Sequence, residues 1–265
     1  MSYTFDPSDA GPCRSVRDLV AARRPAYGAW CMIDSPLNVE VIARSGVDWL
    51  CIDLQHGLID EGAMRRMVQA AGVYGTPVLI RAPWNEPAAI MRALDSGADG
   101  VIVPMVNGAA EARLAATATK FPPQGNRSWG PLRPALLRPE FNPELANQAT
   151  VCLVMVETVE AVEALDEILE VPSIDGVFVG PKDLALSHRQ TVADALENPW
   201  DTDVLRRIAT SCATRGLVAA SICDTIEQAV RLRGLGFSLL ALQTDAAWLG
   251  RAAASALEAI RQTER

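Results

Sequence analysis

The chain has 265 residues, 49% of them hydrophobic and 21% charged, with a formal net charge of −8. That length suits one large domain with a sizeable core, and the acidic balance argues against general attraction to nucleic acid or to an anionic membrane surface. Six cysteines, Cys13, Cys31, Cys51, Cys152, Cys212 and Cys223, lack paired metal spacing, and four lie in apolar strand patterns, so they read as buried free thiols.

From the N-terminus, MSYTFDPSDAGPC is polar and does not read as a leader, and no apolar stretch is long enough to span a bilayer. A cytoplasmic protein is the expectation. Ser15 to Ala26 reads as a helix that would plug the bottom of the fold. Eight continuous apolar runs follow: Gly28 to Ile33, Trp49 to Ile52, Val78 to Ile80, Val101 to Val106, Val151 to Val156, Gly176 to Val179, Leu217 to Ile222 and Leu239 to Leu242. Helical periodicity fills the gaps at Glu61 to Val73, Pro87 to Ser96, Ala109 to Thr119, Val159 to Leu169 and Val204 to Arg215, several of these preceded by Asp, Asn or Thr caps. Strands without polar alternation, separated by helices, imply a parallel sheet covered on its outer face. Eight such units predict an α/β fold, a single (β/α)8 barrel over residues 1–265, since such barrels typically take about 250 residues. An open doubly wound sheet is the competing architecture, but no glycine-rich phosphate turn follows the first strand.

Two further segments stand out. Phe121 to Gln148 is irregular, with six prolines and the arginines Arg127, Arg133 and Arg138, as functional loops or subunit contacts often are. Ala246 to Ile260 reads as an alanine-rich helix that offers Trp248, Leu249, Leu257 and Ile260 for burial against another subunit.

The chemically capable side chains stand at the ends of strand-like runs. His56 closes VDWLCIDLQH, Arg81 closes PVLIR, Glu157 closes VCLVMVE, and Asp183 follows DGVFVGPK. In a parallel barrel those ends gather on one rim, where residues far apart in sequence can share a substrate. The pattern points to an enzyme. Taken singly, Glu157 and Asp183 would read equally well as helix-capping acids and His56 as a structural histidine.

The strings VDWLCIDLQHG, PVLIRAPW, ALDSGADGVIVPMV, FPPQGNRS, VMVETVEAVEALDEIL, IDGVFVGPKDLALS and LLALQTDAAWL, in that order, resemble the HpcH/HpaI family of metal-dependent pyruvate aldolases. The resemblance runs from about Arg14 to Ala259. It implies a modified (β/α)8 barrel, a homohexamer built as a trimer of dimers, and a C-terminal helix exchanged between subunits. It also implies a class II aldolase that reversibly cleaves a 4-hydroxy-2-oxo acid to pyruvate and an aldehyde through a metal-bound enolate, with oxaloacetate decarboxylation open to the same site.

Carried over residue by residue, the resemblance makes Glu157 and Asp183 the ligands of a divalent cation. Their hard oxygens suit Mg2+ or Mn2+, with Co2+ or Zn2+ as further candidates. Arg81 would face the keto oxygen and stabilise the enolate. The turn Gly180, Pro181, Lys182, Asp183 would hold the pyruvate carboxylate through the N–H groups of Lys182 and Asp183, Pro181 having none. His56 would be the acid/base residue with Asp95 as its carboxylate partner, and Asp53 would support the site by hydrogen bonds. Trp84, Trp129, Arg127 and Arg133 are candidates for selecting the aldehyde, and His188 matches no catalytic position.

Gln55 stands where many relatives carry Glu, and Met155 where a Gln is frequent. The strand ends SICDT and LQTDA lack the paired glycines of barrel phosphate sites, which argues against a phosphorylated substrate. Three other readings stay open at the level of sequence: a Schiff-base aldolase using Lys182, a CoA-thioester lyase of the wider superfamily, and a non-catalytic binding barrel.

Overall fold

A computed structural model describes residues 15–264 apart from Asn198. Cys13 and the polar N-terminal segment lie outside the described residues. Eight strands, β1 (Ala26–Cys31), β2 (Trp49–Asp53), β3 (Val78–Arg81), β4 (Gly100–Val103), β5 (Val151–Val156), β6 (Gly176–Val179), β7 (Val218–Ile222) and β8 (Leu239–Thr244), close into one barrel in sequence order. Every pairing is parallel, including β8 back to β1. The expected barrel is therefore the fold, and the open sheet is not. The fourth strand stops at Val103 and not at Val106, because Pro104 has no N–H to continue the ladder.

Alternate residues point inward, and Trp30, Trp49, Leu79, Ile102, Leu153 and Phe178 belong to an interior cluster distinct from the layer between strands and helices. Val16 and Leu19 of the helix Val16–Ala22 join that interior, so the N-terminal helix does stopper the bottom of the barrel. Around the stopper, Arg17 is ion-paired with Asp175 and donates to the Thr150 carbonyl at 2.6 Å, and the buried Lys120 Nζ donates to the same carbonyl at 2.8 Å. These bonds satisfy polar groups that closure would otherwise leave dry.

Among the expected helices, Glu61–Val73 and Ala109–Thr119 form as read, whereas Val159 to Leu169 is divided at Ala164 into Val159–Glu163 and Leu165–Leu169. Helices at Pro36–Arg44, Pro181–Ser187 and Ile226–Leu235 were not evident from periodicity. The proline-rich stretch contains short helices Leu132–Leu137 and Pro143–Ala149. It joins a helix to the start of β5, so it lies at the N-terminal end of the barrel. The C-terminal helix, Asp245–Thr263, leaves Leu249, Leu257 and Ile260 exposed while Trp248 packs partly on the core. The five described cysteines are free and buried, and no helix among the described residues is long and apolar enough to cross a membrane.

Interior packing is tight enough to be tested at one glycine. A Cβ on Gly28 would stand 2.4 Å from the buried Trp49 ring, whereas one on the exposed helical Gly72 would meet nothing within 4 Å. Gly28→Ala is expected to lose about 2 kcal/mol or more in chemical denaturation, as overpacked cores do. Gly72→Ala should gain about 0.5–1 kcal/mol by removing helix-interior glycine. Equal effects from the two would contradict this packing.

Candidate active site

At the C-terminal end of the barrel, Asp53 and Arg81 are opposite one another in the β2–β3 register and both face inward. Arg81 Nε donates to Asp53 Oδ1 at 2.8 Å and Nη2 donates to Oδ2 at 2.5 Å, a two-pronged fork between buried groups. The Trp30 indole N–H also donates to Oδ2, at 3.1 Å, while the Trp30 ring lies 5.0 Å beneath the Arg81 guanidinium. Burial alone would raise the Asp53 pKa, but the Arg81 fork and its charge, with the Trp30 and His56 N–H donors, hold the carboxyl below its ordinary value. The backbone N–H groups of Gln55 and His56 reach Asp53 Oδ1 at 3.0 and 3.2 Å, which pins the turn that carries the His56 side chain.

Across the mouth, Glu157 follows β5 and is only 2% exposed. Its Oε1 accepts from the Met105 N–H at 2.7 Å, made possible by a left-handed Met105 with φ 55°. Gly180 sits against the other oxygen: a Cβ there would stand 2.4 Å from Glu157 Oε2. Burial and the charge of Asp183, only partly offset by the Met105 N–H and Arg81, push Glu157 up to about 7. Two carboxylates that repel one another beside an open pocket form a donor set of hard oxygens, which fits a divalent cation completed by water and substrate. Among the described residues there is no group of three or more His, Cys, Asp or Glu that would make a closed protein cage.

A pocket of about 180 Å3 opens over these groups. Its wall includes His56, Arg81, Gly180, Pro181, Lys182 and Asp183, so the structure brings together all but three of the sequence-derived site residues, and two of those three are buried against that wall, Asp53 bonded to Arg81 and Glu157 packed against Gly180. Sequence reasoning missed Trp30, Met105 and Thr244. The proline after β4 was the available signal for Met105, since it ends a strand and opens a turn. No signal marked Trp30 beyond its inward parity on β1.

The third residue is Asp95, which the structure separates from His56 within one chain. Asp95 ends the helix Pro87–Asp95, which runs back from the rim, and it accepts from Arg127 Nη2 at 2.9 Å, so it does not meet His56 of its own chain. Arg127, Arg133 and Trp129 belong to the segment between the helix Ala109–Thr119 and β5 and lie on that same N-terminal face, where Arg133 Nε donates to the Ser96 carbonyl at 2.6 Å. Within one chain they cannot select an aldehyde at the rim. His188 caps the end of the helix Pro181–Ser187, outside the pocket wall.

Residues 26–249 match the model of the HpcH/HpaI aldolase/citrate lyase family. A hydroxypyruvate/pyruvate aldolase of Rhizorhabdus wittichii is 43% identical over 163 residues, which span 62% of this chain and 65% of that relative, just under two thirds of its length. A 4-hydroxy-2-oxo-heptane-1,7-dioate aldolase of Klebsiella pneumoniae is 35% identical over 243 residues, 89% of this chain and 90% of the relative. Among solved structures, an HpcH/HpaI aldolase/citrate lyase family protein from Burkholderia cenocepacia aligns with a TM-score of 0.86 at 27% identity, covering 93% of this chain and 98% of that one. Since the family match runs from the first residue of β1 past the last of β8, barrel and rim together, the chain belongs to the HpcH/HpaI aldolase/citrate lyase family.

Proposed function

We propose that this protein is a metal-dependent pyruvate aldolase, a carbon–carbon lyase that reversibly cleaves 4-hydroxy-2-oxo acids to pyruvate and an aldehyde, and that it also decarboxylates oxaloacetate. The observation that carries the reading is the asymmetry of the rim. One side is neutral, Arg81 being forked on Asp53, and the other holds two mutually repelling carboxylates, Glu157 and Asp183. The names of the relatives from Rhizorhabdus and Klebsiella support it.

Glu157 and Asp183 would hold the cation, Mg2+ or Mn2+ being the best match to two oxygen donors. When bound, such an ion supplies Lewis acidity at the 2-oxo group and positive charge for the developing enolate. The N–H groups of Lys182 and Asp183 receive the substrate carboxylate, as the resemblance implies. Arg81 spends Nε and one Nη2 hydrogen on Asp53, and its remaining N–H groups donate to the oxygen that becomes the enolate. His56, which lines the pocket, takes the proton of the 4-hydroxyl. The C3–C4 bond then breaks, its electron pair passes into the enolate, and protonation at C3 releases pyruvate. Oxaloacetate reaches the same enolate by losing CO2, without a hydroxyl proton to remove. A Schiff base at Lys182 is disfavoured, because its ammonium is engaged with Asp224 at 3.1 Å and offers no free lone pair to a carbonyl.

The His56–Asp95 pair belongs to the proposal only between copies, since one barrel puts the two residues at opposite ends. A homo-oligomer is therefore part of it, with the exposed Leu249, Leu257 and Ile260 of the C-terminal helix as the face exchanged between subunits of a hexamer. A cytoplasmic location is proposed on the same family likeness.

Metal dependence is tested by exhaustive chelation, which should abolish aldol cleavage, with recovery on adding Mg2+, Mn2+ or Co2+. Full activity after chelation, with borohydride trapping pyruvate on Lys182, would overturn the mechanism.

The Glu157 carboxyl gives a second test that needs no turnover. On raising pH, the unfolded carboxyl ionises near 4.5 while the folded one keeps its proton to about 7, so the metal-free fold loses stability between those values and no further above them. Glu157→Gln should therefore be more stable than the wild type by about 3 kcal/mol at pH 8 in chelator, and not at pH 4, as a shift of this size implies. Mg2+ should raise the melting temperature of the wild type but not of the variant.

A third test separates His56 from Arg81. His56→Ala is expected to lose about 10²- to 10⁴-fold in aldol cleavage, with a smaller loss in oxaloacetate decarboxylation. Arg81→Lys should lose both reactions together, by roughly 3 kcal/mol each. Near-normal decarboxylation in folded Arg81→Lys would remove Arg81 from the enolate.

A further inference from the structure

The two sides of the pocket differ in chemistry, and the difference lies in side chains that the proposed reaction leaves unused. Arg81, Gly180 and Asp183 stand where the 2-oxo acid is held, whereas the wall toward β7, β8 and β1 is formed by Ile222, Thr244 and Met32, with Lys182 at its edge. With pyruvate in place, this wall is the surface left for the chain of a second substrate. Among the described residues that line the pocket, Arg81 and Lys182 carry fixed positive charges, and each already has its own carboxylate. Arg81 has Asp53. Lys182 Nζ lies 3.1 and 3.3 Å from the two oxygens of Asp224, which follows β7.

Asp224 is held in that position from three directions. Its N–H donates to Gln228 Oε1 at 2.9 Å, and its carbonyl accepts from Gln243 Nε2 and, at 3.2 Å, from Arg251 Nη2. Gln243 is itself buried at the end of β8 with a left-handed φ of 101°, a conformation non-glycine residues seldom adopt, beside the register shift where β8 meets β1. The fold thus keeps backbone strain at a residue whose side chain anchors the acid facing Lys182.

We propose that Asp224 is a specificity-determining residue: by neutralising Lys182 it leaves the second-substrate wall without net charge, so the site takes uncharged aldehydes and discriminates against those carrying a carboxylate. This rests on the aldolase reading. Both side chains of the pair are about half exposed, so its attraction is modest; an anionic tail that reaches Lys182 nevertheless meets an ammonium already shared with Asp224, whose main chain is fixed beside it and keeps a like charge near the tail. An uncharged chain lies on Met32 and Ile222 without that opposition. Specificity here is a repulsive element built into the rim, and the attractive contacts remain generic.

The test is aldol addition of pyruvate, by the full chain with Mg2+, to 4-oxobutanoate and to its uncharged amide, which match in length and differ in charge. Wild type should favour the amide by at least about tenfold in kcat/KM. Asp224→Asn, which frees the ammonium, should shift the ratio toward the carboxylate by about tenfold or more. Lys182→Met, which leaves Asp224 uncompensated, should shift it the other way. A wild type that prefers the carboxylate, or a ratio the two substitutions fail to move in opposite directions, overturns the proposal. Oxaloacetate decarboxylation, which involves no aldehyde, is followed on each protein to correct for folding and for the pyruvate half. Absence of both decarboxylation and addition in the wild type would sink the aldolase reading along with it, whereas decarboxylation with an unmoved ratio sinks the assignment of Asp224 alone.

Discussion

Burying a guanidinium at the mouth of a barrel is unfavourable unless a carboxylate meets it in good geometry, and the Asp53–Arg81 fork supplies that geometry from two adjacent strands. The residues are register partners, so their inward side chains are neighbours by the pleat itself. Asp53 also takes the Trp30 indole N–H and two backbone N–H groups, which leaves its oxygens well satisfied and Arg81 fixed in direction. Removing one half of such a pair typically costs about 3–5 kcal/mol, because the other is left charged and dry. What the arrangement provides is orientation: an always-charged donor held toward the pocket before any substrate arrives.

The opposite side is arranged by the contrary principle. Glu157 is dry and carries a single backbone donor on Oε1, while Asp183 adds a second negative charge. Gly180 is required because any side chain would strike the Glu157 carboxylate, and the following Pro181 starts a helix that needs no N–H at that position. An enclosure that excludes side chains yet leaves carboxylates uncompensated favours whatever cation can neutralise them. One rim thus carries a neutral half, the Arg81–Asp53 fork, and an electron-rich half, Glu157 with Asp183.

Much of this was legible from the chain alone because the strands of a parallel barrel are buried on both faces and announce themselves as unbroken apolar runs, whose ends necessarily share a rim. His56, Arg81, Glu157 and Asp183 follow from that single fact. Met105 and Asp224 do not. The first acts through a backbone N–H set by a left-handed φ, and the second through a side-chain direction, neither of which leaves a periodic trace. Arg127, Arg133 and Trp129 are candidates for selecting the aldehyde on placement alone, and chain order excludes them from the rim of their own barrel. A segment that follows a helix and precedes a strand lies at the N-terminal end of the barrel.

That same ordering constrains Asp95. A strand of six residues such as β5 is about 20 Å long, so a side chain at the far end of the helix after β3 is separated from the His56 turn by roughly the height of the barrel. No rotamer closes such a gap, and only a second copy can bring its own Asp95 to this rim. Arg127 does not oppose this. It occupies Oδ1 at 2.9 Å and, being 3% exposed, stays within its own chain, so it orients the carboxylate and leaves the second oxygen able to accept another donor. Like the Arg81 fork on Asp53, the Arg127–Asp95 pair on the N-terminal face is a fixed bond that sets the direction of a carboxylate.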